Sequence, residues 1–268
     1  MRRACAGLAL LALVSAVGGG ARADEEVALP LVQADVDERE AQDGGGASKD
    51  PWEGMNRKIF AFNEGVDRWF LEPVATGWDW AVPEPVQRSI GNFFDNLWLP
   101  VRFANDALQL KPRDAYETLW RAVINSTVGI GGLFDPASAW TVVKSDEDFG
   151  QTLGAWGVPP GPYLVLPLLG PSSPRDTVGL VVDRAGYVPS YFVPFYVSLS
   201  AAGTDIVNER AGALEDIRAE REAAFDFYTA VRSAFIQYRE NRVRDRADDP
   251  AEDEDEDGLY YYEDEDDF

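Results

Sequence analysis

The residue types that most often carry chemistry are nearly absent from this chain of 268 residues, which has no His and one Cys, Cys5. Without imidazole there is no His-based triad, no His–zinc site and no side chain that titrates unperturbed near neutrality. Cys5 lies in a leader-like segment, so thiol nucleophiles, disulfides and iron–sulfur ligation leave with it. A serine nucleophile would lack its usual base, and neither a G-x-S-x-G elbow nor an S-x-x-K motif occurs. The run Asp146-Glu147-Asp148 could in principle pair a general acid with a general base, but helix capping or an exposed turn accounts for it better. Gly129-Ile130-Gly131-Gly132 lacks the Lys-Ser/Thr of a phosphate loop and reads as a turn. The chain is predicted not to be an enzyme.

The elements that remain are amphipathic helices. Asp50-Pro51-Trp52-Glu53 is a good helix start, with Asp50 as N-cap and Glu53 placed to bond back. Met55, Ile59, Phe62, Val66, Trp69 and Phe70 then form one apolar stripe up to a break expected near Pro73. Phe60 lies off that stripe, so a second side of the helix is partly apolar. Helices are also predicted over 84–96, 112–128 and about 204–244, the last with the stripe Ala224, Tyr228, Val231, Phe235 and Tyr238 packed on a core. Gly150, Gly154 and Gly157, spaced four and three, would allow close backbone approach on a helix. Residues 158–171 and 187–200 are apolar but interrupted by proline, so neither is expected to be a regular helix throughout. Trp52, Trp69, Trp78, Trp80 and Trp98 crowd into 47 residues, a concentration that suits a polar–apolar boundary.

Charge divides the chain further. Its net charge of −23 comes mainly from two flanks: residues 24–43 carry −7 and 248–268 carry −13, whereas 44–247 carry only −6. Residues 1–23 have a basic start, an apolar run from Leu8 to Val17 and the small-residue end Ala21-Arg22-Ala23, the pattern of a cleaved signal peptide. Cys5 precedes the apolar run, so no lipidation is expected there. The predicted organisation is a signal peptide (1–23), an acidic flexible linker (24–49), one helical domain (50–244) and a disordered acidic tail (245–268). No basic stripe exists for nucleic acid.

The order of motifs resembles the MlaA (VacJ) family of outer-membrane phospholipid-transport proteins. The blocks are Asp50-Pro51-Trp52-Glu53-Gly54-Met55-Asn56-Arg57, Phe60-Ala61-Phe62-Asn63, Asn92-Phe93 with Asn96-Leu97, and Asn125 to Asp135. Asp148 to Gly154, Trp156-Gly157, Gly161 to Pro167 and Arg175-Asp176 follow. The resemblance implies an all-α, ring-shaped protein in the inner leaflet of the outer membrane, with a central amphipathic channel. It implies that phospholipids stray to the outer leaflet, are accepted by the ring and pass to a soluble periplasmic carrier of the Mla type. It also implies association with trimeric porins, and no cofactor beyond the transported lipid. On that basis Asn56, Arg57, Phe60, Phe62, Asn63 and Trp69 are expected on a membrane-contacting ring helix. Gly150, Gly154, Gly157, Gly161, Pro162, Tyr163 and Pro167 are expected beside the channel. A porin scaffold without a lipid path is the alternative.

Overall fold

The computed structural model describes residues 50–244. The predicted signal peptide, linker and tail lie outside the described residues. The order is α1 (Glu53–Val66), a π-helical segment (Asp67–Leu71), α2 (Glu72–Ala81), α3 (Glu84–Leu108), α4 (Pro112–Thr127) and α5 (Pro136–Ala139). Next come α6 (Phe149–Ala155), β1 (Leu164–Leu166), β2 (Gly170–Ser172), α7 (Pro174–Gly186) and a 3-10 turn (Val188–Tyr191). The described residues end in α8 (Phe195–Gly212), α9 (Leu214–Ala223) and α10 (Phe227–Arg244). Among the described residues, the one departure from an all-helical body is the antiparallel hairpin β1–β2, registered Leu164 to Ser172 and Leu166 to Gly170. It folds part of the proline-rich stretch, where a helix is forbidden. Among the described residues, no helix is long and apolar enough to cross a membrane.

Several boundaries differ from expectation. Pro73 does not end the first helix: α1 runs through the π segment into α2, and the Glu72 N–H bonds Asp67 O, five residues back. That wider turn offsets the hydrogen-bond ladder just ahead of Pro73, which then takes a first-turn position where a missing donor costs little. The helix predicted over 84–96 continues to Leu108 through Pro100. Its inward periodicity does not stop at the proline, since Trp98, Val101, Arg102 and Asn105 remain buried. The long final helix is three helices, separated at Ala213 and at Ala224–Asp226, where the Asp226 carboxylate accepts from the Thr229 hydroxyl at 2.8 Å. Helix α8 also begins inside the stretch expected to be broken, directly after Pro194.

Asp50 is not the N-cap either. Trp52 holds that position without a side-chain cap bond, and the buried Asp50 carboxylate turns to Asn56 at 2.6 Å and to the Tyr228 hydroxyl. Glu53 accepts from Arg57 Nε at 2.7 Å instead of bonding back.

The main apolar core joins three distant parts of the chain. Phe60 of α1, Tyr163 and Val165 of the hairpin, and Tyr228, Val231 and Phe235 of α10 pack together. Phe60 meets Tyr228 edge-on at 5.4 Å, and Tyr163 meets Phe235 at 5.9 Å, the geometry that ring quadrupoles favour. Elsewhere, α6 crosses α7 at Gly150 and Gly179, where a Cβ on Gly179 would lie 2.3 Å from Gly150 N.

Candidate functional site: a polar interior under an apolar surface

Helix α1 shows how polar side chains organise the inside. Asn56 is fully buried; its amide donates to Asp50 and to Tyr163 O (3.0 Å), while its oxygen accepts from Val165 N (3.0 Å). Seven residues on, the Asn63 amide donates to Leu166 O at 2.9 Å and accepts from Leu168 N at 2.8 Å. Two asparagines two turns apart thus supply the donor and acceptor pattern of a neighbouring strand to β1. Leu168, held by Asn63, sits in the left-handed region at φ 62°.

Helix α3 turns a second polar face inward. Asp106 accepts from Thr118 at 2.7 Å and Ser145 at 2.5 Å, and Gln109 reaches Glu147 at 2.6 Å and Thr152 at 3.2 Å. Asn105 joins Thr152 to Asp183 through bonds of 3.0 Å each. Burial pushes the Asp106 carboxyl up to about 6 despite the bonds from Ser145 and Thr118, and pushes Asp183 up to about 6 with help from the Asp148 charge. Beside this network, Asn92, Asp95, Asn96, Arg102, Arg121, Asn125 and Asp135 line a small polar hollow with Leu99. Several of these belong to the motif blocks noted above. Arg121 spans Asp135 (2.8 Å) and Val142 O (2.6 Å), which fixes the loop after the glycine turn.

Ion pairs tie together parts of the body that are distant in the chain. Arg210, 3% exposed, grips Asp67 with two bonds of 2.8 and 3.0 Å, and Arg221 adds a third at 2.9 Å. Arg239 of α10 bridges Asp148 (2.5 Å) and Asp176 (2.6 Å), and it is buried. Burial alone would raise the Asp148 carboxyl, but the Arg239 charge and bonds bring it down to about 2. Asp148 also N-caps α6 by accepting from Gln151 N at 2.8 Å. Glu147 is buried against Lys111 at 2.8 Å, and Asp146 faces Arg242 at 3.3 Å. The trio is therefore not an exposed turn, and each carboxylate has a cationic partner.

Outside, the order is reversed. Met55, Phe62, Trp69 (87% exposed) and Phe70 face outward, and Trp80 is 89% exposed. Most of the stripe is thus an outer surface, with Ile59 half-buried against the core, and α1 with the π segment after it packs mainly through Asn56, Phe60 and Asp67, opposite to ordinary core packing. Tyr116, Leu119, Trp120 and Val123 of α4, and Val178, Val181 and Val182 of α7, are also exposed. Two of the clustered tryptophans depart from this: Trp98 is buried and stacks on Tyr187 at 4.4 Å, and Trp78 is half-buried against Ala75, Ala211 and Leu214.

The expected site residues therefore separate into two kinds. Phe62 and Trp69 are exposed, whereas Asn56 and Phe60 are buried and Arg57 pairs with Glu53 and Asp226 (2.7 Å each). Asn56 and Phe60 thus brace the helix from inside, while Arg57 keeps 41% of its side chain exposed. Gly150 and Gly154 lie where α6 meets α7 and α10, with added Cβ atoms 2.7 Å from Arg239 and Val243, and Gly157 follows the helix at φ 86°. Gly161 and Pro167 are exposed, while Tyr163 belongs to the core. The structure does not gather these seven into one lining. What sequence reading missed is the set Asp67, Asp106 and Arg210, polar residues whose partners are far away in the chain.

Comparison with known proteins bears on this inverted arrangement. The family described as MlaA lipoprotein matches residues 48–242. The chain belongs to the MlaA family. A protein of Haemophilus influenzae named intermembrane phospholipid transport system lipoprotein MlaA is 36% identical over 205 residues, covering 73% of this chain and 80% of that protein. An uncharacterized protein of Rickettsia bellii is 36% identical over 196 residues, covering 73% and 77%. A solved structure reported as the structural basis for maintenance of bacterial outer membrane lipid asymmetry superposes with a TM-score of 0.65 at 33% identity. That match covers 72% of this chain and 98% of the other. The fold is that of MlaA, and the family is a component of lipid transport.

Proposed function

We propose that this protein carries phospholipids out of the outer leaflet of a Gram-negative outer membrane and delivers them to a periplasmic carrier of the Mla type. The observation that carries this reading is the inversion itself: exposed Trp, Phe and Tyr around an interior of buried, hydrogen-bonded Asn, Asp, Thr and Arg. A surface of that kind is stable against lipid hydrocarbon, not against water. A lipid headgroup crossing hydrocarbon alone costs several kcal/mol or more, and a wet path through a polar interior lowers that barrier. The body sits in the inner leaflet, held by its outer aromatics, without catalysis and beside a trimeric porin. The leader is cleaved without lipidation, so the apolar surface supplies the membrane hold. That holds against the lipoprotein name of its relatives, and mass spectrometry of the mature N-terminus reads it directly.

A strain lacking the protein tests the transport reading. Phospholipid then accumulates at the cell surface and detergent sensitivity rises, both reversed by the intact gene. Unchanged surface lipid with disturbed porin would support a scaffold instead. Fatty acid release by the purified protein at catalytic rates would overturn the non-enzymatic reading.

A further inference from the structure

One exposed lobe differs from the rest of the outer surface. From Tyr187 to Thr204 the chain has no Asp, Glu, Lys, Arg, Asn or Gln. No residue in that stretch is buried, and Phe192 (82%), Phe195 (81%) and Tyr196 point outward. Elsewhere on the outer surface, charge is interleaved with the apolar residues: Lys58, Arg68 and Asp79 are exposed beside Phe62, Trp69 and Trp80 on α1 and α2. A surface meant for a soluble partner carries a polar rim, and this lobe has none.

Four of its seven hydroxyls are occupied by backbone carbonyls in or next to the lobe. Ser190 donates to Tyr187 O (2.7 Å), Tyr191 to Ala185 O (2.5 Å), Ser200 to Tyr196 O (2.9 Å) and Thr204 to Ser200 O (3.0 Å). Pro189 stands in the first turn of the 3-10 element and Pro194 at the N-cap of α8, removing donors at positions that lack helical partners. Water does not require such economy, but hydrocarbon does, because an unsatisfied polar group there has no solvent to turn to.

We infer that the lobe of residues 187–204 is the part of the molecule that penetrates most deeply into bilayer hydrocarbon, with the α1–α2 tryptophans resting at the headgroup level. This rests on the membrane reading above and adds an orientation to it. It makes the lobe the end that reaches toward the opposite leaflet, from which the transported lipid comes.

Spin labels test this on the full chain carrying Cys5→Ser, which leaves no other thiol. Single cysteines at Phe192, Phe195 and Leu199 report on the lobe, those at Trp69 and Trp80 on the rim, and one at the exposed Arg113 serves as an aqueous control. In vesicles of phosphatidylethanolamine and phosphatidylglycerol, power saturation compares collisions with oxygen and with a nickel chelate. The expected result is a ratio of oxygen to nickel accessibility several-fold higher at the lobe than at the rim, with the control lowest. Rim labels shielded from nickel while lobe labels remain open to it would overturn the inference and leave the membrane reading standing. Lobe labels shielded from both reagents would show a protein surface covering the lobe, which also overturns it. Nickel access at every site would overturn the membrane reading itself.

Discussion

Asn56 and Asn63 do the same job at different depths, and substitution separates them. Asn56→Leu strands Val165 N, Tyr163 O and Asp50 in a buried place, so it is expected to destabilise the protein by about 2 to 4 kcal/mol. Asn63→Ala, half-exposed, is expected to cost about 1 kcal/mol, and chemical denaturation in micelles compares the two. Asp106 makes a prediction about pH. Its value near 6 in the folded state lies above the ordinary carboxylate value of about 3.9, so the folded form holds the proton more tightly than the unfolded chain. That contribution is complete below about pH 4 and is lost as pH rises through about 6. Asp106→Asn should therefore flatten the fall in stability between pH 4 and 6 by on the order of 2 kcal/mol, with the Asp183 share remaining. Asp148 and Asp226, both held near 2, act with the opposite sign: their support is present above about pH 4 and fades as pH falls toward 2.

The crossing of α6 and α7 depends on missing Cβ atoms. Gly179→Ala would drive a methyl to 2.3 Å from backbone that cannot yield, so a loss of roughly 3 kcal/mol or more is expected. Gly65→Ala meets nothing within 4 Å in α1 and should stabilise by roughly 0.5 to 1 kcal/mol. Thermal unfolding of the pair checks both directions. The spacing of Gly150 and Gly154 already signalled close approach, and helix α4 and the turn at Gly129–Gly132 were also legible. The π segment was not. Its first residue, Asp67, is gripped by Arg210 and Arg221, partners 143 and 154 residues distant, and no local window contains them.

For the whole molecule, the periodicity of α1 identified a stripe but not the medium it meets. An amphipathic helix has the same spacing whether its apolar side meets a core or lipid, and only packing distinguishes the two. The residue that stood off the stripe, Phe60, turned out to be the core residue. The tryptophan cluster pointed to a boundary, and three of its five members are exposed. Replacing Trp69 and Trp80 together by Glu should leave the fold intact, since both are almost fully solvent-facing. Partition into vesicles should fall more than tenfold, from a loss of roughly 2 kcal/mol per aromatic, as co-flotation would measure.

A hairpin with only two strands has a flank on each side where another chain could add itself. The flank of β1 is closed by two side-chain amides from α1, so a misplaced neighbour has no ladder to extend. On the membrane role proposed above, that matters most before the molecule reaches its bilayer, when its greasy exterior already invites unwanted company. Losing both asparagines should therefore show first as fibrillar clumping during transit, ahead of any defect in the finished machine.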